Sequence, residues 1–271
     1  MGRPSLGAGV LSEDQRETFV RDGYLLIEDG IDAELIEEGR SLIWDAIPDD
    51  PEDPAAWVGV GSRSPDVPAD EPFTAINHRL HDYASDLVGD ALRRPGGPGT
   101  QLALRYPREL RISEHLDRRP VIGHLDGYGP GFKRHGQYSG FTIGGVVYYD
   151  QVPERGGGFT IWPGTHWVAA DYFTDHALNT PGYGGSLPAI DDDGGWDRRR
   201  TIADQVRSKE LSGGPGTVIL WHNKLVHGTG INQSSSIRMA GITRMSREDH
   251  DEIFEDAADK PFEYWDGVDV A

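Results

Sequence analysis

A histidine and an aspartate two residues apart are the first candidates for chemistry in this chain. His124 and Asp126 lie in the sequence V-I-G-H-L-D-G at Val121–Gly127, after a short apolar run and before a glycine. In a β-strand, side chains at positions i and i+2 point to the same face, so the imidazole and the carboxylate would converge on one point. Two histidines and one carboxylate form the facial site with open positions that suits non-haem Fe(II). The motif therefore predicts a metal site and directs attention to a second histidine.

His227 is the candidate for that second histidine. It follows a short apolar run and precedes a glycine, as the first pair of candidates does. Thr229 shares a face with His227 if the strand continues, and Arg238 lies 11 residues after His227 on the next alternating segment. We interpret His166 as a residue of the turn P-G-T-H and His222 as a packing residue on a strand, with a supporting contact to a metal ligand as an alternative for His222.

Composition limits the chemistry and the partners. The 271 residues include no cysteine, so a metal must be bound by nitrogen and oxygen ligands. Lysine and arginine number 26 against 45 aspartates and glutamates, and the net charge of −19 disfavours nucleic acid and anionic membranes as partners. The acidic composition indicates either a solvated surface or adaptation to a salty cytosol. No run of 18 apolar residues and no signal-like segment is present, so we expect a cytoplasmic protein.

The elements that must position these residues change character near residue 100. We predict helices at about 13–22, Asp32–Trp44, Thr74–Leu92 and Glu248–Glu255, the first with Ser12 and Gln15 as a capping box. An insertion is predicted at 170–212. The predicted strands are Tyr24–Ile27, Gln101–Arg105, Glu109–Ile112, Pro120–Gly123, Tyr138–Asp150, Gly157–Trp162, Gly216–Trp221, Leu225–Gly228 and Ile237–Ser246. We therefore predict one domain over residues 1–271, with a helical part at about 11–95 and a β core at about 100–246.

Four ordered motifs resemble one known family. They are the opening L-S-E-D-Q-x-x-x-F-x-R-D-G-Y-L-L-I, the H-x-D pair, G-G-G-F-T-I-W-P-G-T-H, and H-G-x-G-x-N with an arginine about ten residues later. Together they are similar to the phytanoyl-CoA dioxygenase-like Fe(II)/2-oxoglutarate oxygenases over about residues 11–246. The ordered set is far more specific than H-x-D alone.

The resemblance implies a mainly β protein with flanking helices, built as a double-stranded β-helix of the jelly-roll, cupin-like kind. It implies Fe(II) held by His124, Asp126 and His227, and 2-oxoglutarate bound to the iron through its keto-acid end. The distal carboxylate of 2-oxoglutarate would pair with Arg238, with Thr229 as a hydroxyl donor. Further co-substrate contacts are expected from the neighbouring strands, with Gln101, Tyr106 and Tyr148 as candidates.

The implied reaction is an oxidation of a small-molecule substrate by O2, most simply hydroxylation, with release of succinate and CO2. Desaturation and ring formation remain open, whereas the intact Asp126 argues against halogenation, because halogenating relatives have a small residue there. Two alternatives also remain. One is a cupin-type metalloenzyme that does not use 2-oxoglutarate, and the other is a non-catalytic β-helix domain that binds a ligand or partner.

Overall fold

Helices dominate the first third of the molecule, and strands follow. The computed structural model describes residues 10–66, 71–97, 99–108, 123–128, 133–134, 137–175, 178 and 206–270. The helices are α1 (Glu13–Asp22), α2 (Ala33–Ala46), α3 (Glu71–Val88), α4 (Thr165–Asp175) and α5 (His250–Ile253). The strands are β1 (Tyr24–Ile27), β2 (Ser62–Arg63), β3 (Thr100–Arg105), β4 (Lys133–Arg134), β5 (Gln137–Tyr138), β6 (Ile143–Tyr148), β7 (Phe159–Ile161), β8 (Lys209–Leu211), β9 (Val218–His222), β10 (His227–Thr229) and β11 (Arg238–Met245).

Helix α1 begins and ends as its sequence predicts. The Ser12 hydroxyl accepts a hydrogen bond from the Gln15 backbone N–H at 3.3 Å, and the Gln15 side chain accepts one from the Ser12 backbone N–H at 2.9 Å. Gly23 ends the helix with a φ of 78°, which favours glycine. The predicted capping box and the strand β1 that follows are therefore confirmed.

Two antiparallel sheets form the β core. The larger sheet has the strand order β1-β9-β6-β11-β3-β2, the smaller one has the order β10-β7-β8, and β4 pairs with β5 as a separate ribbon. Most neighbouring strands in the larger sheet are not consecutive in sequence, so the chain makes crossover connections and does not form a simple meander. This is the arrangement expected of a jelly roll, and the predicted double-stranded β-helix is confirmed.

The two faces of the larger sheet have different partners. On one face, Leu104, Val147 and Leu220 pack with residues of the helices. On the other face, Val146, Ile219 and Trp221 pack with Phe159 and Ile161 of the smaller sheet. Alternation of side chains along each strand produces this division. We call the face of the larger sheet that packs against the smaller sheet the inner face.

Helix α4 was not predicted as a helix. A turn is present at Pro163–Gly164, with a φ of 77° at Gly164, but the chain continues as a helix from Thr165 to Asp175 and so runs into the predicted insertion. Thr165, Ala169 and Phe173 are buried at a four-residue spacing, so one face of the helix packs into the protein. The interpretation of His166 as a turn residue was therefore wrong, since it lies in the first turn of this helix.

Other predicted boundaries also differ. The segment Tyr138–Asp150 contains two strands, because the chain bends at 139–142, where Gly140 passes close to the backbone of Gly127. The predicted insertion at 170–212 includes the end of α4 and strand β8, and the last predicted helix shortens to α5. The predicted strand Glu109–Ile112 and most of Pro120–Gly123 lie outside the described residues. Among the described residues, no helix is long and apolar enough to cross a membrane.

Candidate metal centre

His124, Asp126 and His227 meet at one point in the structure. One ligand atom from each side chain lies within 4.8 Å of the others. The His124 Nε2 atom is 3.3 Å from Asp126 Oδ1, and the His227 Nε2 atom is 3.7 Å from Asp126 Oδ2. The two imidazole rings are 4.5 Å apart between centroids. The structure thus brings together the three residues that the sequence predicted as a cluster.

Backbone pairing with His227 holds His124 in place, and a turn positions Asp126. The His124 N–H donates to the His227 carbonyl at 2.8 Å, and the His227 N–H donates to the His124 carbonyl at 3.1 Å. Asp126 and Gly127 lie in a turn, and Gly127 has a φ of 81°. Strand alternation therefore does not extend through Asp126, because the close approach of Gly140 and the positive φ of Gly127 turn the chain back there. The turn brings the carboxylate beside both imidazoles.

Packing and hydrogen bonding fix the ring of His227. Its Nδ1 atom lies 2.9 Å from the Leu225 carbonyl, and because a carbonyl only accepts, Nδ1 carries the proton and Nε2 has the free lone pair. The rings of Phe159 and Trp221 lie 5.4 and 5.5 Å from the imidazole. His227 is therefore buried and presents Nε2 towards Asp126, the orientation that a metal ligand needs.

Asp126 is a buried carboxylate in a cationic environment. Burial alone would raise its pKa, but contacts with His124 and His227 and the charge of Arg244 hold the pKa well below its usual range. Two Arg244 atoms, Nε at 2.8 Å and Nη2 at 2.6 Å, contact its Oδ2 atom. The carboxylate is therefore ionised at neutral pH, as a metal ligand must be.

Arg244 is the residue of this site that the sequence analysis missed. It lies on β11 six residues after Arg238, so alternation places both on the same face of the strand. That periodicity was visible in the predicted strand Ile237–Ser246. Its contact with Asp126 was not, since 118 residues separate the two in sequence.

The three side chains fit a divalent transition metal. Two imidazole nitrogens and one carboxylate oxygen form the 2-His-1-carboxylate donor set of non-haem Fe(II) sites. The side chain of His124 is 34% exposed, whereas those of Asp126 and His227 are 9% and 4% exposed. A metal at this point would thus be enclosed on the side of His227 and accessible on the side of His124.

Arg238 lies in the interior, at the start of β11. It is 2% exposed, and its Nε and Nη1 atoms donate to the carbonyls of Gly157 and Ala103, both at 3.0 Å. Burial lowers its pKa to about 10, so the guanidinium stays charged at neutral pH. Thr229 is half-buried on β10, two residues after His227 and on the same face.

The remaining candidates occupy different places. The Tyr148 hydroxyl donates to the Leu211 carbonyl at 2.7 Å and accepts from the Phe159 N–H at 2.9 Å, so it joins the two sheets. The exposed Gln101 accepts a hydrogen bond from Arg244 Nη1 at 3.2 Å, close to the metal ligands. The hydroxyl of Tyr106 contacts Asp49, away from these ligands.

His222, the other histidine of the segment L-W-H-N-K-L-V-H at residues 220–227, lies apart from the cluster. The ring of His222 stacks on Trp265 with centroids 5.1 Å apart, and its Nε2 atom is 2.8 Å from the Pro261 carbonyl. Burial lowers its pKa well below the usual value for histidine, so the ring is neutral. This environment agrees with the interpretation of His222 as a packing residue.

Comparison with solved structures gives the same fold. The structure of EctD from S. alaskensis with 2-oxoglutarate and 5-hydroxyectoine is 19% identical, covers 90% of this chain and 79% of that chain, and has a TM-score of 0.57. The carbocyclase SnoK from nogalamycin biosynthesis is 16% identical, with 88% and 85% covered and a TM-score of 0.52. HygX from Streptomyces hygroscopicus, with nickel and 2-oxoglutarate bound, is 18% identical, with 88% of each chain covered and a TM-score of 0.51. None of the curated protein sequences compared with the chain matches it.

A jelly roll with a cluster of two histidines and one carboxylate between its sheets defines the class of cupin-fold mononuclear metal proteins. Within this class, the family model of phytanoyl-CoA dioxygenase (PhyH) matches residues 19–240. The chain belongs to this family, as the four sequence motifs predicted.

Proposed function

We propose that the protein is an Fe(II)/2-oxoglutarate-dependent dioxygenase that hydroxylates a small-molecule substrate and releases succinate and CO2. His124, Asp126 and His227 would hold the iron, which when bound supplies the activation of O2. Membership of the PhyH family and the cluster of three ligands both support this assignment.

The observation that carries the use of 2-oxoglutarate is the buried charge of Arg238. Both of its hydrogen bonds reach backbone carbonyls, and among the described residues no carboxylate lies within the 4.0 Å of an ion pair with it. Glu210 acts on it only at longer range. A buried cation without a paired anion is unfavourable. The distal carboxylate of 2-oxoglutarate would supply that anion, and a guanidinium binds carboxylates particularly well.

The chain's own residues then have distinct tasks. Arg238 binds the distal end of the co-substrate, and Thr229 offers a hydroxyl on the same face of β10 as His227. Phe159, Trp221 and Ile161 line the space between the sheets with apolar groups, which exclude water from the buried side of the site. The substrate approaches from the side of His124, where the cluster is accessible.

A small-molecule substrate is supported by what related structures contain. EctD was solved with 5-hydroxyectoine and HygX with hygromycin B. We propose the same broad class here, without a choice among its members, because fold similarity does not determine the substrate.

Anaerobic titration tests the proposal. Fe(II) and 2-oxoglutarate added to the protein without O2 should produce the metal-to-ligand charge-transfer absorption of a chelated keto acid, and O2 should then yield succinate. His227→Ala should lose the absorption band because it removes a buried ligand, and metal affinity should fall by at least 10-fold.

His78→Gln is the matched control. His78 is a half-buried histidine on α3 whose Nε2 atom contacts the Pro95 carbonyl, outside the cluster. Its variant should keep the absorption band. A wild-type protein that binds Fe(II) but shows neither the band nor any succinate would refute the use of 2-oxoglutarate and favour a cupin-type metalloenzyme of another kind.

A further inference from the structure

Arg244 places both of its short contacts with Asp126 on a single carboxylate oxygen. Its Nε and Nη2 atoms lie 2.8 and 2.6 Å from Oδ2. An arginine that pairs with a carboxylate commonly spreads two parallel hydrogen bonds over both oxygens. Here the other oxygen, Oδ1, is left towards His124 Nε2, at 3.3 Å. The two oxygens of Asp126 therefore have different environments.

The orientation of Arg244 is itself supported on two sides. Its Nη1 atom donates to the side-chain oxygen of Gln101 at 3.2 Å, and its guanidinium lies 5.7 Å from the centre of the Phe141 ring. All three nitrogens of the guanidinium are thus engaged by the protein. Because Gln101 and Arg244 lie on the neighbouring strands β3 and β11, the sheet fixes the position from which Arg244 reaches Asp126.

We propose that Arg244 is a positioning residue that makes Asp126 a one-oxygen ligand. This inference rests on the proposed function. With Oδ2 occupied by two donors, only Oδ1 is available to the metal. A carboxylate that used both oxygens would take one of the positions that a facial triad keeps open. Arg244 would thereby reserve those positions for the keto acid and O2, although it touches neither substrate nor co-substrate.

Affinity for the metal alone is a poor measure of this role. Removal of the guanidinium takes away support from a ligand, which weakens metal binding, but it also removes a positive charge beside a cation, which strengthens it. The two effects have opposite signs. Chelation of the keto acid is the informative quantity, because it depends directly on how many positions Asp126 leaves free.

The test uses Arg244→Met, which removes the donors, and Arg244→Lys, which keeps the charge without the planar fork. Each protein is loaded with Fe(II) under anaerobic conditions and titrated with 2-oxoglutarate and with 2-oxopentanoate, which lacks the distal carboxylate. The amplitude of the charge-transfer band and the two dissociation constants are measured. We expect both variants to bind both keto acids about 10–100-fold more weakly than wild type, with smaller band amplitudes.

The absorption spectrum of the Co(II)-loaded protein without keto acid gives an independent readout, because its d–d bands report the number of ligands. The bands should change in both variants. Arg40→Met is the control, since Arg40 is a partly exposed residue of α2 that pairs with Glu37. It should match wild type in both measurements.

Several results would overturn the inference. Wild-type keto-acid affinities in Arg244→Met, or in Arg244→Lys, would show that the fork is not needed. Loss of affinity for 2-oxoglutarate alone would show that Arg244 acts on the distal carboxylate and not on chelation. If Arg244→Met does not fold, as judged from its thermal melt, Arg244→Lys decides the question. A wild-type protein that binds Fe(II) but no keto acid would instead refute the proposed function.

Discussion

Substitution of Arg238 by methionine should weaken binding of the distal carboxylate of 2-oxoglutarate and leave metal binding intact. The variant removes the buried charge and keeps most of the side-chain volume. It leaves the carbonyls of Gly157 and Ala103 without their present donors. His124, Asp126 and His227 are untouched, so metal binding should persist.

The size of the effect follows from the kind of contact that is lost. A hydrogen bond to a charged group contributes about 1.5–3 kcal/mol. The loss of one or two such bonds to a buried carboxylate corresponds to about 1.5–6 kcal/mol. At about 1.4 kcal/mol for each factor of ten, the affinity for 2-oxoglutarate should fall at least about 10-fold and at most about 20,000-fold.

The assay compares 2-oxoglutarate with 2-oxopentanoate on wild type and on Arg238→Met, each loaded with Fe(II) without O2. Wild type should prefer 2-oxoglutarate, and the variant should lose most of that preference while its affinity for 2-oxopentanoate changes little. A thermal melt checks that the variant is folded. An unchanged preference in a folded Arg238→Met protein would refute the assignment of the distal-carboxylate contact. This pattern also differs from that expected of the Arg244 variants, which should bind both keto acids weakly.

Two further predictions concern packing and pH. Gly144→Ala should destabilise the protein by about 1–3 kcal/mol, because the added Cβ would meet the Trp221 ring. Gly145→Ala, on the opposite face of the same strand, should cost less, because its Cβ would lie 3.1 Å from the flexible end of Leu80. Urea melts of both variants measure the difference. Burial lowers the pKa of Lys224 to about 7 from 10.5, so the unfolded chain binds more protons than the native state and stability should rise with pH between these values. Lys224→Met should remove that rise and increase the Tm at pH 6.5 by roughly 2–8 °C, for about 1–2 kcal/mol; calorimetry from pH 6 to 10 checks this, and an unchanged slope would contradict it.

Local signals in the sequence predicted the early helices well. The capping box at Ser12 and the glycine at position 23 determine where α1 begins and ends, and both act within a few residues. The same holds for β3, β9 and β11, whose ends in the structure lie within one or two residues of the predicted ends.

Features that depend on distant parts of the chain were predicted less well. The bend that divides Tyr138–Asp150 arises because Gly140 passes Gly127, and nothing in the local sequence indicates that approach. The convergence of His124 and Asp126 was predicted from strand alternation, but it results from a turn and from backbone pairing with His227. The motif thus correctly predicted that the two side chains are neighbours, but the cause is the turn and the backbone pairing and not strand alternation.

Arg244 illustrates the limit most clearly. Alternation along β11 indicates that it shares a face with Arg238, but which carboxylate it reaches depends on how β11, β3 and the turn at Asp126 assemble. Helix α4 is the opposite case. Its buried positions recur at helical spacing in the sequence itself, although the sequence prediction placed a turn at Pro163–His166 and an insertion from residue 170.

The paired backbone of His124 and His227 has a consequence for how the protein handles its metal. Each residue donates to the other's carbonyl, so two ligands 103 positions apart are joined through the backbone as well as through any shared ion. In small zinc domains, by contrast, the ion gathers its ligands and its loss unfolds the chain. Here the backbone pairing within the β core orders the two histidines. We therefore expect loading and removal of the ion to be exchange reactions of a folded protein, governed by competing chelators and by access past His124.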